Sequence, residues 1–356
     1  MVHGGHLAMR KVTVERPGGF RSLKVIDAPE PTVGPGEIVI SVAAAGVNFA
    51  DCLARMGLYA SAREFGGWPL TPGFEVSGQV AALGTGVNDF EIGTPVVALT
   101  RFGGYAEKIV VPRSQVFTRP VQFSAVQGAA FPVIFLTAKY ALDLAALPSS
   151  SPILIHSAAG GVGSALVQLS RMRGNFVVGI VGTTRKIATA IAAGAHAVID
   201  RSREHWPSVA HQLSPSGYRA VFDASGEDLK ADYKLLSLRG CLVVYGSHHI
   251  ISKRGSISSI PGIILRYITL PRFHPLRLTN DNKSIMGFNL SYLFHETDLL
   301  SSAMSEIMSA LVRRELSFPS ITTFTIEQVS EAHRALQSGA TTGKCVLTVG
   351  ATEESG

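Results

Sequence analysis

Only three cysteines, Cys52, Cys241 and Cys345, occur in 356 residues, widely separated and without a C-x-x-C pair. That scarcity excludes a disulfide framework and a thiolate zinc cluster, and it suits a reducing, cytoplasmic compartment. Charge is sparse as well: 16% of residues are Asp, Glu, Lys or Arg, and although the net charge is +6, no basic run carries interleaved aromatics. Nucleic acid is therefore not an expected partner, and the positive excess is read as serving an anionic cofactor or substrate. No transmembrane segment is expected: the most membrane-like stretch, residues 257–270, is too short and is broken by Pro261 and Arg266, so it reads as a buried or partner-facing element. Residues 1–6 are polar and glycine-rich, lack the apolar region of a signal peptide, and read as a tag remnant ahead of a start at Met9. A G-x-S-x-G elbow is missing, which argues against a Ser/His/Asp hydrolase.

What the chain has in quantity is apolar residues, 46%, and glycine, 36 residues. At this length two domains, each with its own core, are expected. Over 11–47, short β-branched runs alternate with Pro/Gly turns, and 37–47 reads as an extended strand. A helix is expected at 52–57, ending before Tyr59, then a turn at 71–75 and strands at 76–83, 95–99 and 104–111. This β-rich part closes near Pro120, and 125–146 reads as helical. From Pro152 strands at 152–157, 176–181, 197–200, 220–224 and 241–246 alternate with helices, the pattern of a parallel sheet wound on both faces. Residues 248–288 are irregular, 298–315 form an amphipathic helix, and 343–350 are a last strand returning to the first domain. The predicted fold class is α/β, a Rossmann doubly wound parallel sheet inserted in a β-rich domain, with segments 9–131, 132–272 and 273–350.

The chain is organised around residues 152–163. Ile153, Leu154 and Ile155 suit a strand covered on both faces, and Ala159, Gly160, Gly161, Val162 and Gly163 form a tight turn opening a helix, where backbone N–H groups can approach a pyrophosphate. Ala158 stands where the first glycine of G-x-G-x-x-G would fall. In NAD-binding units an acidic residue ends the second strand and bonds the ribose. Here 176–181 is followed by Gly182, Thr183, Thr184, Arg185 and Lys186, with no carboxylate, a set that suits the 2′-phosphate of NADPH. His156 reads as a hydrogen-bonded core residue, and the adjacent His248 and His249 as a surface loop.

Several motifs carry a resemblance: Gly46-Val47-Asn48-Phe49-Ala50-Asp51 with Arg55, Gly57 and Tyr59; Thr71-Pro72-Gly73-Phe74-Glu75; Ala158-Ala159-Gly160-Gly161-Val162-Gly163; and Thr342-Gly343-Lys344. Together the sequence resembles the medium-chain dehydrogenase/reductase superfamily, in its zinc-free quinone oxidoreductase branch. Residues 284–290 further resemble the vesicle amine transport protein-like subgroup. The resemblance implies a GroES-like catalytic domain formed from both chain ends, with a substrate cleft at its junction with the Rossmann domain. It implies Tyr59 as hydrogen-bond donor to the developing enolate or quinol oxygen, the phenol being protonated at neutral pH with a reference pKa of about 10. Asn48 is implied beside nicotinamide and substrate. Thr137, Tyr245, Gly246, Ser247 and Lys344 join the cofactor set, and Arg201, where relatives often have tyrosine, would stack on adenine. Asp51 and Arg55, four apart on a helix, are expected to form a bracing ion pair. Phe74 replaces the histidine that ligates zinc in metal-dependent relatives, so no metal is expected.

The expected function is an NADPH-dependent, zinc-independent reductase of quinones or α,β-unsaturated carbonyls. A rival is an enoyl-thioester reductase acting on acyl-CoA or with an acyl-carrier protein partner. A third reading, from another class, is a non-catalytic, membrane-associated NADPH-binding protein. A homodimer is expected.

Overall fold

The computed structural model describes residues 8–246 and 270–349. Contacts divide the chain into two units, one of Met1–Val133, Ser291–Arg314 and Ser320–Gly356, the other of Ile134–Leu290 and Glu315–Pro319. In chain order the first contributes β1 (Ala8–Val14), β2 (Leu23–Pro29), β3 (Glu37–Val47), β4 (Glu75–Leu83), β5 (Pro95–Leu99), β6 (Lys108–Pro112) and β7 (Val116–Thr118). The second contributes β8 (Pro152–Ile155), β9 (Phe176–Val181), β10 (Ala197–Asp200), β11 (Tyr218–Asp223), β12 (Leu236–Val244) and β13 (Ser284–Gly287). The chain then returns to the first unit for β14 (Ile321–Thr325) and β15 (Lys344–Thr348).

The first unit is built on a sheet of order β14-β15-β3-β4-β5-β7, with β6 paired to β3. Strand β3 is the spine: it pairs antiparallel with β4, β6 and β15, so the last strand closes against the first long one. Its apolar residues Ile38, Ile40 and Val42 enter one core with Val76, Val96, Tyr105 and Leu347. The expected strand at 104–111 begins only at Lys108, because Gly103, Gly104 and Tyr105 instead bond the carbonyls of Thr71, Gly73 and Pro72. Gly73, at φ 107°, permits that approach: a Cβ there would lie 2.7 Å from Gly104 Cα.

The second unit is one sheet of order β10-β9-β8-β11-β12-β13, every neighbouring pair parallel. Renumbered within the unit this is 3-2-1-4-5-6, the dinucleotide-binding order, with its switch point between β8 and β11. The apolar runs of β8, β9 and β11 are buried as expected of parallel strands covered on both faces. One expectation is corrected. Residues 273–290 do not return to the catalytic domain, since β13 adds to the edge of the parallel sheet beside β12, and the return comes at Ser291. Ser247, His248, His249 and all but the last residue of 257–270 lie outside the described residues. Among the described residues one stretch, Ala125–Ala145, has the length and apolarity of a membrane span, and 67% of its apolar 18-residue window is buried inside the protein, as in a core helix.

Candidate active site

The parallel sheet brings most of the expected cofactor residues to one edge. Ala159 to Val162 follow β8, Gly182 to Lys186 follow β9, Arg201 follows β10, and Tyr245 and Gly246 follow β12. Because the strands are parallel, all of these lie at their carboxyl ends, where doubly wound sheets bind ligands. After β8 the chain turns through Ser157, whose φ of 54° is left-handed. Gly160 then precedes the helix Gly161–Met172. A Cβ on Gly163 would stand 2.1 Å from the Ser157 carbonyl oxygen, so only glycine lets the helix begin this close to the turn. Ala158 is accommodated across the sheet: its N–H donates to Ile180 O at 3.0 Å, and Gly179 leaves room for its methyl, since a Cβ at 179 would come within 2.7 Å of it. The missing first glycine has thus moved to the neighbouring strand.

Beyond β9, Gly182 to Arg185 are exposed and Lys186 is half-buried. Burial, and then the charge of Arg185, push the Lys186 ammonium down from its ordinary range. One expectation fails here. No carboxylate lies at the end of β9 itself, but Asp200, ending β10, accepts the Thr184 hydroxyl at 2.6 Å. A hydroxyl has one proton, so while that bond stands Thr184 cannot donate its side chain to a phosphate. The Asp200 carboxyl is held below the usual range by the Ser202 and then the Thr184 hydrogen bonds, so it is ionised. Arg201, expected over the adenine, directs Nη2 to Asp228 at 3.1 Å and Glu227 at 3.2 Å. Gly246 passes tightly against β11, where a Cβ would lie 2.2 Å from Ala224 O. The Tyr245 ring lies near-parallel to Phe288 at 6.5 Å, and its buried hydroxyl has no partner among the described residues. Thr137 is buried on the helix Pro132–Ala145. His156 is a core residue as read, its Nε2 2.7 Å from Asp232 Oδ1. Burial pulls that imidazole down, but Asp232's charge and hydrogen bond outweigh it and hold it raised.

In the first unit Asn48, Glu75 and Lys344 form a buried cluster. Lys344, 3% exposed, donates Nζ to Asn48 Oδ1 and to Glu75 Oε1, the latter at 2.6 Å. Asn48 Nδ2 donates to the same Glu75 oxygen at 2.8 Å, while Glu75 Oε2 accepts Val133 N–H at 2.8 Å at the start of the helix Pro132–Ala145. Gly46 makes the space, since a Cβ there would lie 2.4 Å from Glu75 Oε1. Lys344, expected in the cofactor set, forms a buried cross-link, and one hydrogen of the Asn48 amide lies outside these bonds. Glu75 was part of a recognised motif, but its partnership with Lys344 had no local signal.

The expected Asp51–Arg55 pair does not form. Asp51 accepts Asn48 N–H, Gly73 N–H and the Tyr105 hydroxyl, at 2.8, 2.8 and 2.9 Å. Arg55 turns instead to Gly18 O, Gln337 Oε1 and His333 Nδ1, and lies over Phe20. Since a guanidinium only donates, Nδ1 of His333 accepts, and the proton on Nε2 faces the Tyr105 oxygen at 3.5 Å. Burial and then Arg55 hold His333 well below its ordinary range, so the imidazole is neutral. Asp51 and Arg55 are thus opposite ends of one buried chain through Tyr105 and His333. Burial pushes Asp51 up to about 7 against its three donors and the charge of Lys344.

Tyr59, half-buried, precedes the helix Ala60–Phe65, and its ring meets the edge of Phe74 at 5.8 Å. Phe74 in turn packs on Phe102 at 5.1 Å. The Tyr59 hydroxyl donates to Ser291 Oγ at 3.4 Å, a contact the sequence did not foretell. Among the described residues no three His, Cys, Asp or Glu side chains gather as a metal site. The aromatic wall at Phe74 offers no ligand atom, so this donor set does not fit zinc.

Residues 34–121 match the alcohol dehydrogenase GroES-like domain family and residues 161–306 the zinc-binding dehydrogenase family. The chain is 33% identical over 336 residues to the synaptic vesicle membrane protein VAT-1 homolog of Danio rerio, covering 93% of this chain and 68% of that one. It is 31% identical over 340 residues to a probable quinone oxidoreductase of Schizosaccharomyces pombe, covering 94% and 96%. The solved structure of a mycobacterial protein complexed with NADPH aligns with a TM-score of 0.83 at 27% identity, over 96% of this chain and 99% of that one. At these identities and coverages the chain belongs to the medium-chain dehydrogenase/reductase superfamily, in its quinone oxidoreductase branch and similar to the vesicle amine transport protein-like subgroup.

Proposed function

We propose that the protein is an NADPH-dependent, zinc-independent reductase of quinones or α,β-unsaturated carbonyls. The observation that carries this reading is the Phe74 position: Tyr59 presents a phenol against the Phe74 ring, Glu75, next to it in sequence, holds Asn48 and Lys344, and Phe74 itself offers no metal ligand. Without a Lewis acid, an acceptor must delocalise its own developing charge, as an enone or quinone does. Bound NADPH supplies the hydride.

The glycine cradle fits a dinucleotide. Backbone N–H groups of residues 161 and 162 at a helix N-terminus would hold the pyrophosphate, the Gly160 N–H being taken by Ser157 O at 2.8 Å. Lys186 with Arg185 and Thr183 would hold the 2′-phosphate, offsetting the ionised Asp200 nearby. Asn48, fixed by Glu75 and Lys344, orients the acceptor through its remaining amide hydrogen. Tyr59 donates a hydrogen bond to the oxygen on which charge develops, and water supplies the final proton. A panel of NADPH and NADH against quinones, simple enones and enoyl-CoA esters tests the reading. NADPH oxidation with quinones or enones is expected; oxidation only with enoyl thioesters would overturn it.

A second reading is a non-catalytic, membrane-associated NADPH-binding protein; its membrane association is what the zebrafish relative's name, a synaptic vesicle membrane protein, supports. Steady NADPH oxidation with any acceptor in the panel excludes it.

A further inference from the structure

We propose that Ser291 positions the Tyr59 hydroxyl and becomes its hydrogen-bond donor when Tyr59 turns to the substrate oxygen. The inference rests on the reading of Tyr59 as the donor. Ser291 is the residue at which the chain re-enters its first unit, and it is 2% exposed. The Tyr59 hydroxyl lies 3.4 Å from its Oγ. Ser291 is itself pinned: Arg101 Nε donates to its carbonyl oxygen at 3.1 Å. Arg101 is fixed in turn, with its guanidinium 3.9 Å over the Phe65 ring and Nη2 3.2 Å from His295 Nε2. Phe65 ends the short helix that Tyr59 precedes, and one residue earlier Glu64 accepts the Tyr292 hydroxyl at 2.9 Å. The helix Ala60–Phe65 is therefore tied to residues 291–295 at its far end by Arg101 and Tyr292, independently of the hydroxyl pair at its start.

A phenol carries one proton. While Tyr59 donates it to Ser291 it cannot donate it to a quinone or enone oxygen. Once the phenol turns, its oxygen becomes an acceptor, and the Ser291 hydroxyl is within reach to rotate and fill it. A separation of 3.4 Å is longer than the roughly 2.7–2.8 Å of a closed hydroxyl pair, as befits a resting contact that tightens in the substrate complex. Donation from Ser291 favours the negative charge that gathers on the Tyr59 oxygen as it donates, so the contact that aims the phenol also strengthens it. No covalent bond forms or breaks within the pair.

The test combines steady-state kinetics, with NADPH and 1,4-naphthoquinone, and an NMR titration of carbon-13-tyrosine-labelled protein, which needs no turnover. The variants are Tyr59→Phe, Ser291→Ala, Ser291→Thr and the double Tyr59→Phe/Ser291→Ala. Ser291→Ala is expected to lower kcat about five- to tenfold with the KM for NADPH unchanged, and to move the Tyr59 titration to higher pH. Ser291→Thr should restore both, and the double variant should be no slower than Tyr59→Phe alone. If Tyr59→Phe is slow while Ser291→Ala matches the parent in rate and titration, Ser291 is no positioning residue and the donor reading survives. A double variant slower than Tyr59→Phe overturns the inference as well, by giving Ser291 a separate role. If Tyr59→Phe matches the parent, the donor reading fails and the inference with it.

Discussion

In the parallel-sheet unit, the proposed pyrophosphate cradle is backbone, exposed by Gly160, Gly161 and Gly163 at the end of one strand, with a few cations beyond the next. In the first unit the site is made of side chains brought from both ends of the chain: Asn48 is held by Glu75 and Lys344, Asp51 connects through Tyr105 and His333 to Arg55, and Tyr59 touches Ser291. A backbone site needs steric permission, and one methyl can destroy it. A side-chain site needs every buried polar group satisfied, and losing one partner leaves a charge in low dielectric. The two units should therefore fail differently.

The largest effect is expected where a buried charge loses its partner. Glu75→Gln leaves the Lys344 ammonium without its counter-ion and should destabilise the first unit by about 3–5 kcal/mol in urea denaturation, whereas the double variant Glu75→Gln/Lys344→Met should recover much of that loss. Equal losses in both would mean that charge is not what the cluster balances. Next comes the backbone site. Gly163→Ala places a methyl against the Ser157 carbonyl and should weaken NADPH binding about 100-fold, or by about 2.7 kcal/mol, in a fluorescence titration, with the first unit's unfolding unchanged.

A smaller effect should come from pH. Folded Asp51 keeps its proton up to about pH 7, whereas an unfolded Asp releases it near 3.9, so the folded state binds the extra proton and Asp51's contribution is lost as pH rises from about 4 through 7. Between about pH 5 and 7 the parent should lose about 2 kcal/mol relative to Asp51→Asn. Parallel pH profiles of the two would show that its three donors keep the carboxylate charged throughout. The smallest effect sharpens the cofactor reading: Lys186→Ala should weaken NADPH about tenfold and NADH hardly at all. Equal loss for both would remove Lys186 from the phosphate site.

Legibility in the sequence followed the same division. Strand β3 was read at both of its ends, and five of the six parallel strands followed from apolar runs and glycine turns, because short-range patterning specifies a parallel strand and a tight turn; β13 lies in a stretch read as irregular. Even Ala158, the apparent defect in the turn, was explained by Gly179 on the adjacent strand, a contact that needs the sheet register to be seen. Asp51 and Arg55 obeyed the helical i,i+4 rule on paper, but their side chains diverge because better partners arrive from Gly73, Tyr105 and His333, far along the chain. Asp200 reached Thr184 from a third strand, and Lys344 crossed from the C-terminal strand to Glu75. Each of these misreadings involves a polar side chain whose partner is set by strand order, which no local pattern records.

The central claim is that hydride chemistry here proceeds from NADPH beside a phenol donor without a metal. Its most direct measurement is NADPH oxidation by chelator-treated protein, with metal content determined on the same sample and a quinone as acceptor. The account predicts turnover that is unaffected by chelation and unchanged on adding zinc. Activity that appears only when zinc is restored would contradict it.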